Sequence, residues 1–137
     1  MSKMPKTDQS VFNDVLHVLA IAVIIDEKIL ETEMNEFSRQ AVGLAEICDA
    51  EFSPADAKNW FETNKPLILE KMAGRGRNTV ILKALTRVTD EVLRENIYDS
   101  MIAISVSDKE YHREESDLIR SAATIWGYTR PPLKVTT

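Results

Sequence analysis

Cysteine is almost absent from this chain of 137 residues: Cys48 stands alone. No intrachain disulfide can form, and nothing marks an oxidising compartment. Glycine (four) and proline (five) are also scarce, which disfavours turn-rich β architecture and leaves room for long regular elements. The only histidines are His17 and His112. With one cysteine they offer no nucleophile–base constellation, so an enzyme is not expected and no catalytic residue is assigned. Long apolar runs are missing as well. Val18–Ile25 is the longest, far short of the roughly 20 residues that cross a bilayer. The opening MSKMPKTDQS lacks the apolar core of a secretory signal, so the expectation is a cytoplasmic chain with no membrane span. Lysine and arginine (17) are outnumbered by aspartate and glutamate (22), for a net charge of −5. That balance argues against a general binder of phosphate backbones, and no nucleic-acid partner is expected.

What is present is ordinary for a globular protein: 44% hydrophobic and 28% charged residues. One domain over 1–137 is expected, burying about two-thirds of its unfolded surface. The stretches 1–7 and 129–137 read as loose tails, the latter because Pro131-Pro132 cannot continue a helix.

Between them the periodicity is helical. Val11, Val15, Leu16, Leu19 and Val23 share one face of a first helix ending at Ile25. Its last residues, AIAVII, are apolar all round and should be deeply buried. His17 falls off the stripe and reads as a surface or hydrogen-bonded residue. A second helix over 31–48 turns Met34, Phe37, Ala41, Leu44, Ala45 and Cys48 inward. Cys48 then reads as a small core residue.

Ser53-Pro54, with Asp56 in the first turn, marks a third start. It places Ala57, Trp60 and Phe61 on the apolar face. Asn64 and Pro66 restart the chain as a short fourth helix that Gly74 stops. The loop Gly74-Arg75-Gly76-Arg77-Asn78 lacks the ending of a phosphate-binding P-loop and reads as a solvated connection. A small basic patch with Lys83 and Arg87 is the other reading. Asn78 caps a fifth helix and Asp90 a sixth, which runs to about Val106; a seventh spans 113–126 and ends at Gly127. No segment sustains a period of two, so the fold class is all-α, a bundle of about seven helices.

The chain also repeats itself. Asp26 and Asp108 lie 82 residues apart, and at that offset Ile29 falls on Tyr111, Glu33 on Glu115, Phe37 on Ile119 and Ala41 on Ala123. Each copy reads helix, Asp, an apolar residue three later, Glu seven later, helix. Two pseudo-repeated helical hairpins are expected.

An aspartate in the last turn of a helix opposes the dipole there by about 0.3–1 kcal/mol, so something compensates at Asp26 and Asp108. One reading is a turn cap, with the side chain accepting from backbone N–H groups just downstream. The other is a divalent cation, to which Glu33 and Glu115 add oxygens. An EF-hand does not fit. After Asp26, its third, fifth and sixth positions hold Lys28, Leu30 and Glu31.

An apolar helix ending in Asp, then Ile or Tyr, then Glu, present twice in a helical chain, resembles the TerB-like family. That family includes tellurite-resistance proteins and the N-terminal domain of DjlA-type co-chaperones. The matching residues are Asp26, Ile29 and Glu33, then Asp108, Tyr111 and Glu115, and the close Trp126-Gly127-Tyr128. Glu27 and Lys109 replace the family's glycines. The resemblance implies a compact helical bundle, a part in tellurite or other stress responses, and a divalent metal at Asp26, Glu33, Asp108 and Glu115. The alternative is a metal-free scaffold for protein partners, its acids serving as caps.

Overall fold

A computed structural model describes the backbone of residues 6–25, 31–107 and 113–128, and their side chains except those of 6–10 and 113–115. Among the described residues every regular element is a helix: α1 (Lys6–Ile24), α2 (Glu31–Ile47), α3 (Pro54–Ala73), α4 (Arg77–Arg87), α5 (Glu91–Ser105) and α6 (Arg113–Trp126). The expected tails at 1–5 and 129–137 lie outside the described residues, whereas Lys6 and Thr7 already belong to α1.

Helix α1 is the axis of the bundle. It packs against α2, α3, α4 and α5, and every side chain from Val18 to Ile25 is buried. From Val18 onward the helix is enclosed on these sides and has no solvent face, which is why that stretch carries no polar residue. Helix α5 joins α1, α2 and α6, while α6 also rests on α4. No described helix is long and apolar enough to cross a membrane.

The helix ends follow local chemistry. Ser53 accepts from the Asp56 N–H at 3.1 Å while the Asp56 carboxylate accepts from the Ser53 N–H at 3.0 Å, a reciprocal capping box. Asp90 accepts from the Leu93 N–H at 2.9 Å and starts α5. Helix α6 ends at Gly127, whose φ of +77° lets the Tyr128 N–H reach back to the Ala123 carbonyl at 2.8 Å, a Schellman closure. Helix α2 closes in the same manner through Asp49 at φ +55°, with the Ala50 N–H on the Ala45 carbonyl at 2.8 Å.

Two expectations need correction. The third and fourth helices are one, so the described residues form six helices rather than seven, and Pro66 sits inside α3. Proline removes one ladder bond and crowds the preceding turn. However, Phe61 and Ile68, two turns apart on either side of it, are both buried on the core face. That burial outweighs the break, and the Asn64 side chain donates to the Trp60 carbonyl at 2.8 Å just upstream. In the second correction, α4 starts at Arg77 with Gly76 as its N-cap, so Asn78 lies within the helix.

Candidate functional site

The acid that the repeat singled out on α2 has an unexpected environment. Glu33 is 0% exposed. It sits in the first turn of α2 with Glu31, where the dipole favours negative charge. It also lies four residues before Phe37 and eight before Ala41, so the stripe that carries those two into the core carries Glu33 with them. Met34, expected to lead the inward face, is instead half-buried against the core. Spacing to Phe37 was the signal that could have placed Glu33 inside. An ionised carboxylate in apolar surroundings is costly unless opposite charge or hydrogen-bond donors surround it.

Glu33 is one of four buried polar residues among the described ones; the others are Ser100, Ser105 and Ser116. Ser100 belongs to an interhelical relay. Its hydroxyl donates to Gln40 Oε1 at 2.7 Å, and Gln40 Nε2 donates to Glu36 Oε2 at 2.6 Å, tying α5 to α2. The remaining three occupy helix ends that adjoin, in sequence, the segments 26–30 and 108–112. Glu33 is in the first turn of α2, Ser105 is the last residue of α5, and Ser116 is in the first turn of α6. The Ser105 hydroxyl is fully buried and has no hydrogen-bond partner among the described residues.

Of the other expected ligands, Asp26 and Asp108 lie outside the described residues, and so do Ile29 and Tyr111. Glu115 falls on α6, but its side chain is not described. Of the four acids, Glu33 is the one whose side chain lies among the described residues. Among the described residues, no group of three histidine, cysteine, aspartate or glutamate side chains could hold a metal.

The other chemistry-bearing residues have structural surroundings. His17 Nδ1 donates to the Asn13 carbonyl at 2.9 Å, and its ring meets Trp60 edge-on at 5.0 Å. Trp60 Nε1 donates to Asn13 Oδ1 at 3.0 Å, so the polar edge of the Trp60–Phe61 pair joins α3 to α1. Phe61 is buried against Phe37, and Cys48 is a buried core residue.

One functional side chain was missed. Arg77, read as part of a solvated loop, is half-buried, and its guanidinium donates to the Ile25 carbonyl. A cation at the end of α1 meets the negative pole of that helix and satisfies one of its orphan acceptors. Beside it a surface groove of about 380 Å³ opens between α4 and α6 at the end of α1.

Neither a family model, nor a curated protein, nor a solved structure matches the chain.

Proposed function

We propose that the chain is a TerB-like stress-response module that acts by binding, and that it takes a divalent cation through Asp26, Glu33, Asp108 and Glu115. The observation that carries this reading is where the buried polar groups fall. Glu33, Ser105 and Ser116 are all within one turn of the segments 26–30 and 108–112 that hold the repeated aspartates. Buried polar groups need partners; the Ser105 hydroxyl has none among the described residues, and a cation that drew these oxygens together would supply one. Carboxylate and hydroxyl oxygens are hard donors, which suit calcium, magnesium or manganese better than a soft, thiolate-preferring ion. On this reading the two hairpins, α1 with α2 and α5 with α6, are the two halves of a pseudo-twofold unit. The cation would fix their connections, and a cytoplasmic protein partner would read the ordered surface.

A second reading is a metal-free interaction scaffold. It is favoured by the place of Glu31 and Glu33 in the first turn of α2, where a carboxylate stabilises the helix without any ion.

Calorimetric titration separates the two. With calcium, magnesium, manganese and zinc in turn, the wild-type chain is expected to give saturable heat with at least one of the first three. The double variant Asp26→Asn, Asp108→Asn is expected to give none. Silence of the wild type toward every cation would leave the scaffold.

A further inference from the structure

The groove at the end of α1 carries opposite charges on its two walls. Arg77 and Asn78 line it from α4, and Asp117 and Ser121 line it from α6. Arg77 spends one nitrogen on the Ile25 carbonyl. A guanidinium has five N–H donors, so donors remain for a ligand. Asn78, Asp117 and Ser121 make no side-chain hydrogen bond or ion pair among the described residues. Between these walls the lining is apolar. Ile25, Ile81 and Leu118 are buried, and Leu82 stands on the rim 47% exposed.

The volume of about 380 Å³ falls among small-molecule sites, which span roughly 300–1,000 Å³. From this juxtaposition we infer that the α4–α6 groove binds a free amino acid with a large apolar side chain. Its carboxylate takes the remaining donors of Arg77, its ammonium meets Asp117, and its side chain lies on Ile81 and Leu118. The Asn78 amide and the Ser121 hydroxyl both donate and accept, so they add contacts to the same two charged groups. A ligand with a single charge fits less well. A simple anion meets a like charge in Asp117, and a simple amine meets one in Arg77. An amino acid carries both charges on the carbon that bears the side chain, and the groove answers all three groups. This site shares no residue with the proposed cation site, so the two stand or fall separately.

The test is an NMR titration of the isotope-labelled full chain with L-leucine and with L-phenylalanine. Saturable shifts are expected at the backbone amides of Asn78, Leu82, Leu118 and Ser121 with at least one of the two. Glycine, which has both charges and no side chain, should leave those signals unmoved at the same concentration. N-acetylation of the amino acid removes its positive charge and should weaken binding about three- to fivefold, the scale of an exposed ion pair. Asp117→Asn should cost as much, and in that variant acetylation should cost little further, because the two changes remove one contact. Asp117 is exposed, so circular dichroism should show an unchanged helical fold. Leu82→Ser, at another exposed position, should also weaken binding. The inference is overturned by no saturable shift with either amino acid, or by shifts confined to residues outside the groove. It is equally overturned if the wild type binds the acetylated form as tightly, or if Asp117→Asn binds as the wild type does.

Discussion

Replacing Trp126 by alanine is expected to destabilise the chain by about 3–5 kcal/mol, the range for emptying a buried tryptophan site. Trp126 is 7% exposed at the end of α6. Its indole Nε1 donates to the Leu85 carbonyl at 3.0 Å in a buried setting, pinning α6 to α4 across 41 residues of sequence. Its ring also leads into an aromatic chain: Trp126 meets Tyr128 at 6.3 Å, and Tyr128 meets Tyr98 on α5 at 5.0 Å. The indole therefore supplies area, a hydrogen bond and the link between three helices. Trp126→Phe separates these contributions. It keeps most of the area and should cost only about 1–2 kcal/mol, the loss of the hydrogen bond plus a small void. Leu85 retains a second donor, the Val88 N–H at 3.3 Å, so its carbonyl is not stranded. Chemical denaturation measures both. A loss below about 1 kcal/mol for the alanine variant would mean that α6 does not dock as described.

The second large effect concerns Glu33. If this carboxylate serves a cation, its replacement should separate stability from ion response. Glu33→Leu puts apolar volume in a fully buried position but strands the group that the carboxylate engages, which costs about 1–3 kcal/mol. Without added metal the leucine variant should therefore lose about 1–3 kcal/mol against wild type. With saturating cation the wild type should gain stability and the variant should not. Glu33→Gln, nearly isosteric but uncharged, should behave as the leucine variant does toward metal. If Glu33 is only a dipole partner for α2, neither variant changes a cation response, because the wild type has none to lose.

The apolar pattern carried most of the helical layout, and burial explains where it failed. The start of α3 was legible because Ser53, Pro54 and Asp56 encode a capping box locally. Its length was not legible, since Pro66 is a break signal that the burial of Phe61 and Ile68 overrides, and that packing is non-local. Likewise, Asn78 looked like a cap, yet α4 begins at Arg77, whose guanidinium is occupied at the far end of α1. A contact across 52 residues leaves no mark on local sequence.

The candidate site was legible in a different sense. The spacing of 82 residues singles out Glu33, and the structure gives that residue an environment unlike that of a solvated helix cap. Sequence could not foresee Ser105 and Ser116 as buried polar neighbours of the same connections, because serine is tolerated at helix ends for many reasons. That Leu82 is exposed at the rim of a groove is something that periodicity alone does not reveal.

The cation is the centre of this account, and thermal unfolding with added calcium, magnesium or manganese tests it most directly. A ligand that binds only the native state at about a hundred times its Kd contributes about 2.7 kcal/mol. For a domain of this size that raises Tm by roughly 8–14 °C. We expect a rise of that order in the wild type with at least one of the three ions and none in Asp26→Asn, Asp108→Asn. An unchanged Tm with all three, or the same rise in the double variant, would contradict the account.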